Sequence, residues 1–256
     1  MNEPHPQVPK EDQLSKRQYR MDIARHLSSG PQRPGRVLDL GCGPDAYDLK
    51  AMRSQGSQAL VGIDMSSDLS NNDGNICYIR SDIDDLSLPF LAESFDTILL
   101  HNVIEHLHHP KRVLREAHRV LTPGGVLSVI TENQACLKNR MKLLMGMSIY
   151  FPISRWTSQE DRVEKSGRSV FTGHVREYTR QEISQMLQSS GFAMDVLRLR
   201  SVAYPSTRAL EGPSSSARML YSMSRNRAML RLYKVAESKL PGCGYMICAV
   251  ASKRTL

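Results

Sequence analysis

Strand-length apolar runs recur along the chain, and most of them stop at an acid or another polar residue. Val37-Leu38-Asp39-Leu40 leads into Gly41 and Gly43, Ala59 to Ile63 stops at Asp64, and Ile76 to Ile79 is followed by Ser81-Asp82. Phe95 to Leu100 stops at His101, and Val126 to Ile130 reaches Thr131 and Glu132. Short apolar runs bounded by turn residues predict strands. Ala193 to Val202 and Gly244 to Ala251 predict two more near the carboxyl end.

Helical spacing fills the intervals. Leu14, Tyr19, Ile23 and Leu27 recur at helical spacing through a basic stretch from Asp12, which Ser28-Ser29-Gly30-Pro31 ends. Ala46 to Ser54, Lys111 to Leu121 and Asn139 to Gly146 predict further helices, with Val113, Leu114, Ala117, Val120 and Leu121 on one face of the second. Thr122-Pro123-Gly124-Gly125 predicts a turn into the strand at Val126. Thr179 and Glu182 have the spacing of a capping box that opens another helix.

The turn after the first strand carries the first chemistry. Gly41 and Gly43 allow otherwise forbidden dihedrals and close ligand approach, and the helix behind them favours an anionic group. Ala46 formally completes a dinucleotide fingerprint, so the glycines alone leave a nicotinamide enzyme open. Asp64 lies 21 residues after Gly43, near the distance at which a strand-helix-strand unit brings its second strand beside the first. A carboxylate there accepts both ribose hydroxyls of an adenosine; the alternative is a helix N-cap for Met65-Ser66-Ser67-Asp68.

Val37 to Pro44 resembles the first motif of class I S-adenosylmethionine-dependent methyltransferases, although Asp45 stands where that family commonly has glycine. The resemblance continues through Asp82 and Ile83, through Ser94-Phe95-Asp96, and through the helix and Pro-Gly-Gly turn that precede the fifth strand. It is continuous over residues 36–131. It implies a Rossmann-like α/β fold with a seven-stranded, mostly parallel sheet and helices on both faces. It also implies S-adenosyl-L-methionine as cofactor, held by Asp39, Gly41, Gly43, Asp64, Met65, Asp82, Ile83 and Asn102. Ile83 would pack the adenine, and Tyr19 or Arg20 would cover the cofactor unless they only pack.

His101 to His106 would then lie outside the carboxyl ends of the strands, where open α/β sheets bind ligands. Some members of the family hold a divalent metal through a pair like Glu105-His106 and a glutamate three positions earlier. Asn102 occupies that earlier position here, so no metal is expected. His106 and His174 are the candidate bases for removing a proton from an acceptor, since imidazole titrates near neutrality. His174-Val175-Arg176-Glu177-Tyr178 resembles the approach to a helix in small-molecule and glycan methyltransferases.

At 256 residues, the chain suits one domain over residues 12–256 after a disordered, proline-rich lead-in at 1–11. Residues 132–178 are expected to form the substrate lid, and residues 205–241 a basic helical insertion. The five scattered cysteines lack a C-x-x-C pair and read as reduced core thiols. No signal peptide or membrane span is visible, which predicts a cytoplasmic protein.

The net charge of +8 leaves several anionic partners open. The insertion's arginines suit an anionic membrane at its inner face or a lipid-linked acceptor, unless the helix simply packs with its charges solvated. A nucleic acid methyltransferase is the runner-up enzyme because of the charge; against it, no Asn/Asp-Pro-Pro-Tyr-like motif and no aromatic-rich basic module is present. The preferred reading is oxygen methylation of a small molecule or sugar. A cofactor-binding scaffold without turnover is the competing class.

Overall fold

The computed structural model describes residues 21–27, 35–65, 75–84, 87–149, 174–200, 232–233, 235–236 and 239–254. The lead-in at 1–11, Tyr19 and Arg20, the aromatic stretch from Tyr150 to Trp156 and most of the basic insertion lie outside the described residues.

Seven strands form one sheet in the order β3-β2-β1-β4-β5-β7-β6. They are β1 (Arg36–Leu40), β2 (Ala59–Asp64), β3 (Ile76–Arg80), β4 (Phe95–His101), β5 (Leu121–Glu132), β6 (Phe192–Arg200) and β7 (Met246–Lys253). The first five pair in parallel, and β7 runs antiparallel to both of its neighbours, β5 and β6. The sheet is therefore Rossmann-like and mostly parallel. From β1 the chain builds outward through β2 and β3, then returns to β4 on the other side. That reversal opens a crevice beyond the carboxyl ends of β1 and β4.

Alternation along the strands builds two cores. Val37, Leu60 and Leu99 face one way and pack with helix α1 (residues 21–27) and helix α2 (Tyr47–Ser54), through Ala24, Leu27, Leu49 and Met52. Leu38, Leu40, Ile98 and Leu100 face the other way. They pack with α3 (Pro110–Val120) and, beyond α4 (Leu137–Leu144), with α5 (Arg180–Ser189). The apolar face read from the sequence for α3 is the buried one: Val113, Leu114, Ala117 and Val120 are all nearly inaccessible. Burying each valine or leucine contributes about 1.5–3 kcal/mol.

Two expectations change. Thr122-Pro123-Gly124-Gly125 is not a turn outside the sheet. It is a turn inside β5, four residues that leave the ladder opposite Asp96, because Leu121 pairs with Phe95 while Val126 pairs with Thr97. Proline and glycine sit there because these residues make no ladder hydrogen bond with β4. Asp84, read as a solvated loop acid, is buried. Its carboxylate accepts from the backbone N–H groups of His108 (2.6 Å) and His109 (2.8 Å), at the start of a helix whose N-cap His109 makes no side-chain cap. Asp84→Ala should therefore cost about 3 kcal/mol, seen as a fall of roughly 6–12 °C in Tm. An unchanged melting temperature would show that water replaces the cap.

Candidate active site

The turn after β1 is tied to β2 by its own backbone. Gly41 and Cys42 donate to the carbonyl of Ile63 at 2.7 and 3.1 Å, and Gly43 donates to Asp64 Oδ2 at 2.8 Å. Gly41 has φ 80°, and a Cβ there would lie 2.4 Å from Val103 Cγ2, so this turn is pressed against the segment after β4. Gly43 has φ 65°, and a Cβ there would meet nothing within 4 Å. The main chain at Gly43 thus borders open space, as a bound cofactor requires. Ala46, at φ 45°, starts α2 without a side-chain cap.

The other predicted cofactor residues, except Ile83, rim the same edge. Asp39 is buried at the end of β1, while Met65, directly after Asp64, is 45% exposed despite being apolar. Asn102 holds a left-handed backbone at φ 56° beyond β4, its N–H donating to Ile130 at 2.8 Å. Such a conformation in a residue other than glycine marks a constrained position. Asp82 turns one oxygen back onto the N–H of Asp84 at 2.8 Å, and Ile83 is buried in the core below. Cys42 takes no part as a thiolate. Burial, reinforced by Asp39 and Asp64, pushes its thiol up to about 12.

These residues fit an adenosyl sulfonium compound. Space beside Gly43 would receive its amino acid end, and Asp64, which braces the turn, would offer its carboxylate to the ribose.

The structure brings the two candidate bases together. His106 ends a 3-10 turn, Ile104–His106, just beyond β4, whereas His174 belongs to the strap before α5. Their rings meet edge to face, with centroids 5.0 Å apart. The contact is built by the backbone: the carbonyl of Glu105 accepts from Val175 at 2.8 Å and Arg176 at 3.2 Å. Farther along, Asn133 bridges to Tyr178, and Thr179 and Glu182 form the expected capping box.

Acids surround the imidazoles. His174 Nδ1 lies 3.3 Å from Glu177 Oε1, and Asn139 on α4 donates to Glu177 Oε2 at 3.2 Å. Thr131 donates to Glu105 Oε2 at 2.8 Å, and the Tyr245 hydroxyl donates to Glu132 at 2.7 Å. Burial pushes Glu105 up to about 7, against the pull of its hydrogen bonds and of His174. Burial alone would lower His174, but Glu177, Glu132 and Glu105 raise it overall. Burial also lowers Lys142, which faces this network from α4.

One donor atom from each of Glu105, His106 and His174 lies within 4.8 Å of the others, and the same holds for Glu132, His174 and Glu177. Either set fits a divalent cation by its donor chemistry. A donor in place of the one missing at Asn102 would come from His174, some seventy residues away in the chain. Sequence reasoning passed over Glu177 as a partner of His174. Its signal was present as an acid three residues after the histidine.

The charge pattern makes stability depend on pH. Between 4.5 and about 7 the native chain keeps a proton on Glu105 that the unfolded chain has released, so stability falls as pH rises through that window. His174, also raised, contributes stability that is present at low pH and lost as pH rises through its folded value. Tm should therefore fall between about pH 5 and pH 8. Glu105→Gln should remove the acidic part of that slope and melt higher than the native chain at the alkaline end. An identical slope in the variant would exclude a buried, protonated Glu105.

Comparisons with known proteins agree with this geometry. A family profile described as a methyltransferase domain matches residues 13–196. The ubiquinone biosynthesis O-methyltransferase of Glaesserella parasuis is 27% identical over 154 residues, covering 49% of this chain and 64% of that protein. A tRNA U34 carboxymethyltransferase of Pseudoalteromonas translucida is 36% identical over 105 residues, covering 37% and 31%. This chain thus spans less than two thirds of either relative. An S-adenosylmethionine-dependent methyltransferase from Mesorhizobium loti shares the fold, with a TM-score of 0.54 at 18% identity over 90% of this chain and 96% of that one. Since the profile covers most of the chain and the glycine turn lies at the sheet's reversal, the chain belongs to the S-adenosylmethionine-dependent class I methyltransferase family.

Proposed function

We propose that this protein methylates a hydroxyl oxygen of a small molecule or sugar. The observation that carries this reading is the His106–His174 pair, backed by Glu177 and Glu105 at the carboxyl edge of β4 and β5. Bound against the glycine turn, S-adenosylmethionine supplies an electrophilic methyl group. The protein must align the acceptor and take its proton.

Glu177 accepts from Nδ1–H of His174, which leaves Nε2 as the proton acceptor. Nε2 takes the hydroxyl proton and so raises the nucleophilicity of the oxygen. The imidazolium that forms is stabilised by Glu177, with Glu105 and Glu132 nearby. His106, edge-on to the same ring, borders the position of the acceptor. The named relatives act on unlike acceptors, so the choice of a small hydroxyl compound rests on this base.

A lipid-linked acceptor fits the same reading. The basic residues of segment 205–241 would meet its phosphate or an anionic membrane at the inner face. Among the described residues no helix is long and apolar enough to cross a membrane.

Transfer of label from methyl-labelled cofactor to a panel of sugars, phenolic and lipid hydroxyl compounds and RNA tests the proposal. Ether-linked label on a sugar or small molecule is the expected result. Label confined to RNA would overturn it. Cofactor binding without transfer to any acceptor would favour a scaffold.

A second reading rests on the clustering of Glu105, His106 and His174. A divalent cation held there would polarise the acceptor hydroxyl in place of a free base. Transfer abolished by a chelator and restored by manganese would select this reading, and chelator-resistant transfer would reject it.

A further inference from the structure

A buried polar chain on the other face of the sheet takes no part in the acceptor chemistry. His101, the last residue of β4, is 7% exposed. Its Nε2 lies within hydrogen-bond distance of Ser128 Oγ on β5, at 2.9 Å, while its Nδ1 faces Asp48 Oδ2 in the first turn of α2 at 3.4 Å, an ion-pair distance that is not a hydrogen bond by its geometry. Ser128 and Asp48 are buried as well. Leu99 and His101 point to the same face by strand alternation, and that face is the one covered by α2.

We propose that His101 is a positioning residue for the cofactor, clamping the start of α2 and the glycine turn to the sheet. Asp48 lies two residues beyond Ala46, where the turn ends and α2 begins. Any shift of Asp48 therefore moves the turn. The direction of His101 is itself secured from behind, because the next residue, Asn102, is held in its left-handed conformation by the bond to Ile130.

The clamp acts on one end of the ligand. Helix α2 directs the positive end of its dipole toward the turn, which favours an anion. The anionic group of S-adenosylmethionine is the carboxylate of its amino acid end, whereas the ribose hydroxyls need an acceptor such as Asp64. Loosening α2 should therefore weaken the grip on the amino acid end and leave the adenosine end nearly untouched. The inference rests on assigning the turn to that end.

Calorimetry on the full chain with S-adenosylhomocysteine and with 5′-methylthioadenosine, which lacks the amino acid end, tests the clamp. His101→Leu is expected to weaken the first by about tenfold and the second by less than about twofold. Ser128→Ala removes only the partner of Nε2 and should show the same selectivity to a smaller degree, which keeps the test available if His101→Leu folds poorly. Equal weakening of both compounds, or of neither, in the two variants would overturn the clamp. Asp64→Ala, measured in parallel, should weaken both compounds. If it weakens neither, the assignment of the site fails, whatever His101 does.

Discussion

His174→Ala is expected to lower kcat by about 10²–10⁴-fold, the usual contribution of a positioned general base, while cofactor affinity stays within about twofold. The separation follows from the fold. His174 sits on the strap before α5 and meets His106 beyond β4, whereas the cofactor turn lies between β1 and α2. Glu177→Gln provides the finer test. It keeps an acceptor for Nδ1–H but removes the charge that raises His174, so the acidic limb of the pH–rate profile should move to lower pH. Full activity in His174→Ala would remove it as the base. A large loss in His106→Ala alone would transfer the role to that residue.

Asp64→Ala should have the second large effect, on binding instead of turnover. Its carboxylate is assigned to the ribose hydroxyls, and Oδ2 also accepts from Gly43 N–H. Hydrogen bonds to a charged group contribute about 1.5–3 kcal/mol each, so affinity for S-adenosylhomocysteine should fall by about 10²-fold. Asp64→Asn retains one acceptor oxygen and should lose less. Unchanged affinity in Asp64→Ala, measured by calorimetry, would reject the ribose role.

Much of the cofactor half was legible in one dimension because it is local. A strand, a glycine turn and a helix start occupy one continuous segment, and the apolar runs that form β1, β2 and β4 stop at the residues that rim the crevice. Backbone geometry at Gly41 and Gly43 follows from the absence of a Cβ, which no distant contact can alter. The capping box at Thr179 was readable for the same reason. Errors fell where a local rule met a distant partner. Asp84 has the sequence of a loop acid, and only the arrival of α3 supplies the N–H groups that bury it.

The acceptor half depends on such meetings. Glu105, Thr131, Asn139, His174 and Glu177 come from four separate elements, and no spacing relates them. Their charges are set by burial and by one another. His174 rises among three carboxylates, and Glu105 rises because its surroundings exclude water.

By itself the sequence determined an α/β chain whose strand tips carry Asp39, Asp64 and two close glycines, since alternation, turn chemistry and the steric freedom of glycine act over a few residues. The tertiary structure decided which imidazoles share a site, which acids hold their protons, and that His101 reaches α2. Those outcomes depend on side chains that packing brings together from far apart in the chain, and on the low-dielectric surroundings that packing creates.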